Sequence, residues 1–332
     1  MKPEDEHADA VVRVCSYHRI DFDLVTIRPR PYVTEAVQDL LQTAFEKPPT
    51  SGLGIFDYLP EEVMTMVLLN LDVLTFFRFR HVNRYARILS TTALEYQLVV
   101  KYGVEGMRAL LRSDCARRFT MMHLHHLLIT DTCGLCGNFA GFLFLLTATR
   151  CCFRCLESSP KLRVISTTKF AKRAGISTSQ LSKSYGSTLR TVSGIYSVFK
   201  QRDRRPKKLI LKADAIAALA KQAVFKKNLI AELLKSVENY EKRYMACIAF
   251  PTYNRRTGKF EPDVSCKGCH VHATRKIGGY GDDRRVFSTA GFLSHFATCV
   301  EARKIWAESK EGTVRVHDSA FILRGGSSFG LE

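Results

Sequence analysis

Acidic residues are scarce in this chain: thirty-two Asp and Glu stand against fifty Lys and Arg over 332 residues, for a formal net charge of +18. That surplus argues against a cationic partner and points to one that bears phosphates or carboxylates. Long apolar runs are missing too. The longest uncharged stretch covers residues 132–149, but its truly apolar part is only 139–148, too short to span a bilayer. There is no basic segment followed by an apolar one at the start, where MKPEDEHADA is acidic and polar, so a secretory leader is not expected. The expected compartment is therefore reducing, cytoplasmic or nuclear. Catalytic signatures are absent as well: no Gly-x-Ser-x-Gly elbow, no phosphate-cradling glycine loop and no three-ligand metal set with a vacancy. We therefore expect a protein that is not an enzyme. With 46% hydrophobic residues, wholesale disorder is excluded. A chain of this length buries roughly three quarters of the surface of its unfolded form, enough for two small domains.

What the chain does have is cysteine. Eleven are present, an odd number that in a reducing compartment reads as metal ligands plus buried thiols and not as a disulfide framework. Cys133-x2-Cys136 is followed, after fifteen residues, by Cys152-x2-Cys155, a spacing suited to a four-cysteine zinc site. Each such knuckle turns the backbone so that two thiolates converge, and two knuckles complete a tetrahedron at about 2.3 Å per bond. Gly134 and Gly137 suit the turn. Cys151 competes with Cys152, but only Cys152 leaves two residues before Cys155. A second set is Cys266-x2-Cys269, then twenty-five residues, then His295-x3-Cys299. If residues 295–299 are helical, the last two ligands lie about 40° apart on one face. His270 and His272 are the competing donors. Both sets are closed, as structural zinc sites are, and two ions are expected; each contributes roughly 10 to 16 kcal/mol in small peptide hosts. Cys15, Cys115 and Cys247 have no partner at ligand spacing.

Along the chain, residues 21–27 read as a short strand and 34–45 as a helix capped by Thr34, before KPPTSGLG breaks the pattern. From Tyr58 the pattern is helical. Pro60 suits a first turn and Glu61 and Glu62 the positive helix end, with Val63, Met66, Val67 and Leu71 along one face. Asp72 caps a second helix holding Leu74, Phe77 and Phe79; Asn83 caps a third through Ala86 and Leu89; a fourth covers 92–102. Residues 214–244 give the longest helical signal, and 250–264 a hairpin with Arg256, Thr257, Gly258 and Lys259 between its extended segments.

The segment FDYLPEEVMTMVLLNLDVLTFFRFRHVNRYARIL, residues 56–89, resembles an F-box, the helical module by which substrate receptors dock on the Skp adaptor of a cullin-type ubiquitin ligase. The resemblance implies that Leu59, Pro60, Glu62, Val63, Met66, Val67, Leu71, Leu74 and Val82 meet the adaptor. Where many F-boxes carry a tryptophan, VNRYAR stands here, a form similar to F-box proteins of filamentous fungi. CGLCGNFAGFLFLLTATRCCFRCL and FSTAGFLSHFATCVEARKIW resemble the cysteine-rich segments that follow in such proteins, extending the likeness to Trp306. It implies a substrate receptor that recruits a protein for ubiquitination, with Skp adaptor, cullin ligase and protein substrate as partners.

One segment does not fit that reading. TKFAKRAGISTSQLSKSYG, residues 168–186, resembles a DNA-binding helix-turn-helix, with Gly175 in the turn, Ser177 as cap, Leu181 inward, and Ser179, Gln180 and Lys183 outward. It lies within residues 150–208, where fifteen Lys and Arg face only Glu157 and Asp203. The alternative function is a zinc-containing DNA-binding regulator. Together these readings predict a mainly α fold with small β elements, in six parts: a flexible tail and linker (1–54), the F-box module (55–102), a helical connector with a zinc-ribbon-like hairpin (103–160), a basic helical region (161–250), an α+β segment with hairpin and second zinc site (251–310), and a C-terminal tail (311–332) whose RGGSSFGLE reads as loose.

Overall fold

Polar as it is, the amino-terminal stretch does not behave as a tail. Helix α1 (Pro3–Cys15) places Val11 and Cys15 one turn apart on a single face. That face is buried against Phe292 and Ala302 near the other end of the chain. Strand β1 (Ser16–Tyr17) then pairs antiparallel with residues 265–266. The computed structural model describes residues 3–19, 31–44, 47–185, 189–194, 207–220, 241–255, 257–261, 263–275 and 284–326. The strand expected at 21–27, most of the long helix expected over 214–244, and the tail beyond 326 fall outside these residues.

The next helix, α2 (Pro31–Gln42), also belongs to the body and not to a linker. Gln38 Nε2 donates to the carbonyls of Val100 and Lys101 at 3.2 and 3.0 Å. The buried Arg80 guanidinium donates to the Leu41 carbonyl at 2.7 Å and to Thr91 Oγ1, and lies over the Tyr96 ring. Five of the following helices build the core: α3 (Glu61–Asn70), α4 (Val73–Arg80), α5 (Arg84–Thr92), α6 (Leu94–Tyr102) and α7 (Val104–Arg112). Two caps stand where the sequence puts them. Asp72 accepts from the Thr75 amide at 2.9 Å and Asn83 from the Ala86 amide at 2.8 Å, satisfying donors that a helix start leaves open. Pro60 is extended and precedes α3 instead of sitting in its first turn. Leu68, Val73, Phe76, Tyr96, Val99, Met107 and Leu110 fill the centre. Helix α8 (Met121–Leu128) closes it with Met121 and Leu124.

That core continues into a sheet. Strands β2 (Phe142–Phe144) and β3 (Thr149–Cys151) form an antiparallel hairpin, followed by the short α9 (Phe153–Ser158). Arg150, wholly buried, ties this hairpin to its surroundings. It donates to the carbonyls of Leu127 and Ala140 at 2.9 and 3.0 Å, to Thr252 Oγ1 at 3.1 Å, and to the carbonyls of Phe250 and Pro251. Burial holds its pKa down to about 10, so it remains charged at neutral pH and its donors are matched by carbonyl dipoles instead of carboxylates.

The basic region is not simply helical. Strand β4 (Val164–Ser166), helices α10 (Thr167–Ala174) and α11 (Thr178–Tyr185), strands β5 (Thr191–Gly194) and β6 (Lys207–Leu211), and helix α12 (Lys212–Ala220) form a unit whose antiparallel sheet runs β4-β6-β5. Alternation does the sorting. Val164, Val192, Leu209 and Leu211 point into the main core, while Ile165 and Ile210 point the other way into a separate cluster with Phe170, Ala171, Leu181 and Leu219. The sheet is thus sandwiched between body and helices.

After the one-turn α13 (Glu241–Tyr244), strand β7 (Cys247–Ala249) adds to the cysteine hairpin, giving the order β3-β2-β7. The expected hairpin is β8 (Thr252–Asn254) with β9 (Lys259–Glu261), and Gly258 turns it at φ 66°, in the left-handed region that favours glycine. Strand β10 (Val264–Cys266) lies between β1 and β11 (Val286–Phe287), flanked by α14 (Lys267–Arg275), α15 (Thr289–Phe296) and α16 (Val300–Glu308). Ahead of the Gly/Ser-rich tail, the Asp318 carboxylate meets Lys267 at 2.7 Å, and Phe321, in the one-turn α17 (Ala320–Leu323), stacks on His270. Among the described residues no helix is long and apolar enough to cross a membrane.

Candidate metal centres

The first centre is built by the hairpin itself. The Cys133 amide donates to the Asn138 carbonyl at 2.6 Å, and the Gly137 amide to the Cys133 carbonyl at 2.9 Å. Gly137 makes this turn at φ 76°. The Gly134 amide donates to the Arg150 carbonyl at 3.0 Å, fastening the first knuckle to β3. Cys152 forms the second knuckle by capping α9, its sulfur accepting from the Cys155 amide at 3.4 Å. The ligand atoms of Cys133, Cys136, Cys152 and Cys155 all lie within 4.8 Å of one another, and the sulfurs of Cys136 and Cys152 are 3.6 Å apart. Four sulfurs this close together are a donor set that could hold one metal ion.

Cys151 is excluded by its register. It sits opposite Phe142 in the β2–β3 ladder, fully buried, and burial raises its pKa well above the ordinary range. Cys136, the exposed member, behaves oppositely. A hydrogen bond from the Asn138 backbone, with further help from the neighbouring thiols, holds it down to about 7. The set therefore offers a thiolate near neutral pH at its open edge, the form that ligates.

The second centre draws on separate elements. Cys266 ends β10, Cys269 is in α14, His295 in α15, and Cys299 precedes α16; their ligand atoms again lie within 4.8 Å of one another. Cys266 and Cys299 sulfurs are 3.8 Å apart, and Cys269 Sγ is 3.2 Å from His295 Nε2. The Cys269 hydrogen bond holds the Cys266 thiol down to about 5, and that same bond, with burial, pushes Cys269 up. A cation shared by the four would relieve that conflict by neutralising the sulfurs together. Phe287 stacks on the His295 ring at 4.6 Å and fixes its orientation.

One expectation is corrected here. His295 and Cys299 are not on one helical face: α15 ends at Phe296, and Cys299 is extended (φ −82°, ψ 104°) as the residue that starts α16. A single turn still joins them, through the Cys299 amide to the His295 carbonyl at 3.0 Å. The rival histidines are elsewhere. His270 is buried against Phe321 and His272 is exposed on α14.

Two participants had no ligand spacing to reveal them. Gly268 lets α14 and α16 touch, since a Cβ there would fall 2.2 Å from the Ala302 backbone nitrogen. Cys15, reaching in from α1, donates to the Ala302 carbonyl at 3.4 Å, and burial pushes its pKa up to about 12, so it stays a thiol beside the site. Comparison with protein-family models, with curated proteins and with solved structures finds no match to this chain. The donors speak for themselves. Each set brings four donors, four sulfurs in the first and three sulfurs with one imidazole in the second, close enough together to hold one metal ion.

Proposed function

We propose that this chain is a non-catalytic F-box substrate receptor, with zinc in both centres, that docks on a Skp-type adaptor of a cullin ubiquitin ligase and recruits a protein for ubiquitination. The observation that carries this is helix α3, which is apolar on both sides. Met64, Leu68 and Leu69 face the core, while Val63, Met66 and Val67, at i, i+3 and i+4, face outward at 42%, 65% and 44% exposure. Such a helix has one face too many for a lone protein and asks to be covered. Ile55, Phe56, Tyr58, Leu59 and Val82 are exposed as well, so more than half of the large exposed hydrophobics among the described residues fall between residues 55 and 82. Leu71 and Leu74 are half-buried in their own core and contribute an edge at most.

The uncovered apolar face of α3 would seat in an apolar groove of the adaptor, the mode in which anchors at i, i+3 and i+4 carry the affinity. The receptor would work by holding substrate lysines near the charged ubiquitin, replacing a bimolecular encounter by a local one. Zinc suits the donor sets by softness and geometry. Either compartment, cytoplasm or nucleus, keeps the thiols reduced as these centres require.

The test is copurification. Met66→Asp, or Leu59→Asp with Pro60→Ala, should abolish adaptor capture while elemental analysis still finds two zinc ions per chain. Undiminished capture, or an ion count that falls with it, would remove the docking role.

A further inference from the structure

The β4–α12 unit has its own small core and a surface that adaptor docking leaves unused. Its sheet is pinned to the body by Val164, Val192, Leu209 and Leu211, so the helices α10 and α11 lie on the far side. Three residues join them. Gly175 ends α10 in the left-handed conformation at φ 66°, and Ile176 donates its amide to the Ala171 carbonyl at 3.1 Å. Ser177 starts α11 in a reciprocal capping box: its hydroxyl accepts from the Gln180 amide at 3.1 Å, and its own amide donates to Gln180 Oε1 at 2.9 Å. The pair is therefore a helix-turn-helix with a defined, well-capped second helix.

The chemistry of its outer face is uniform. Over residues 177–183 only Leu181 is buried; Ser177, Thr178, Ser179, Gln180, Ser182 and Lys183 are exposed. These are hydroxyls, one amide and one ammonium, the donors and acceptors that read base edges, with no carboxylate to repel phosphate. An apolar anchor of the kind a protein groove would demand is also missing. Lys169, Lys172, Arg173 and Lys183 make no ion pair among the described residues, and the nearest acid in the described part of the unit, Asp214, is taken by Arg190 at 2.9 Å. A capped helix about 10–12 Å across fits a major groove about 12 Å wide.

We infer that this unit grips duplex DNA, with α11 in the major groove presenting Ser179 and Lys183, and with Lys172 and its neighbours on the flanking phosphates. Gln180 is spent on the cap through its carbonyl oxygen, and the Ser179 hydroxyl shares a 2.9 Å hydrogen bond with that of Ser177, so base reading rests on Lys183, on Ser182 and on the remaining hydrogen-bonding capacity of Ser179. The surface is separate from that proposed for the adaptor, and either assignment stands if the other fails.

The test uses the full chain and a fluorescein-labelled mixed-sequence duplex of about two helical turns, roughly 20 base pairs, followed by anisotropy at rising salt. Binding should weaken steeply with salt. Lys172→Ala with Lys183→Ala should cost at least about tenfold in affinity and reduce the salt slope by about two. Lys47→Ala with Lys259→Ala, an equal loss of exposed charge elsewhere, should change affinity by less than about twofold. Both lysines of the test pair are exposed, and an unchanged melting temperature and zinc count will show the fold intact. Equal losses in the two pairs would overturn the proposal. So would salt-insensitive or absent duplex binding, tighter binding to single-stranded RNA of the same length, or displacement of the duplex by polyglutamate at matched charge.

Discussion

The two cysteine centres have like ligand sets and opposite construction. The first is written into one stretch of twenty-three residues, from Cys133 to Cys155, whose knuckles are set by local amide hydrogen bonds and a short hairpin. The second needs a strand end, a helix, a second helix and the start of a third, and it is roofed by α1, whose Cys15 meets Ala302 across 287 positions. The local centre shapes a loop; the composite centre is a clasp that joins the two ends of the chain. Loss of metal should therefore have different reach in the two cases.

The largest effect tests that reach. Cys136→Ser and Cys269→Ser should each lower the zinc count from two to one and remove stabilisation on the order of 10 kcal/mol from the local site. Only Cys269→Ser should expose residues 3–17 to proteolysis and fast amide exchange. Equal protection of α1 in both variants would erase the contrast. Next comes Arg150→Met, expected to cost about 3–5 kcal/mol, because five carbonyl and hydroxyl acceptors lose the buried cation that satisfies them. Chemical denaturation reads it directly. The damage should appear as loss of the first ion at lower denaturant while the second persists, since the side-chain hydrogen bonds of Arg150 run to the hairpin stretch, α8 and the 250–252 segment.

Locality also decides what the sequence discloses. The first centre, the Asp72 and Asn83 caps and the Gly175 turn are legible because the residues that decide them lie within a few positions of one another. The ligands of the second centre are legible as a list, but its geometry is not. AGFLSHFATCVEA carries no glycine or proline between His295 and Cys299, so nothing marks the break after Phe296, and a helix or a turn satisfies the same spacing. Helix α1 reads as a polar tail because the surface that buries Val11 and Cys15 arrives almost three hundred residues later. The sheet in the basic region was hidden for the same reason: β4 and β6 are short and pair across more than forty positions. Periodicity did show α3 to be apolar, but not that Val63, Met66 and Val67 are the side left uncovered.

Two smaller substitutions sharpen the contrast. At Gly268 an added methyl would strike the Ala302 backbone, which cannot move without parting α14 from α16, whereas at Gly134 it would meet Thr149 Cγ2 at 3.0 Å, a side chain at the hairpin edge. Gly268→Ala should thus cost about 1–3 kcal/mol by overpacking and lose the second ion, while Gly134→Ala keeps the first. Cys15→Ala is the mildest. Its thiol is buried, held protonated and bonded to a carbonyl, so removing it should leave a methyl-sized void worth about 1 kcal/mol and a full complement of two ions. Elemental analysis decides the matter: one ion in that variant would make Cys15 a ligand and the second centre five-donor, and the clasp would then be fastened by a metal–sulfur bond from α1 instead of by packing.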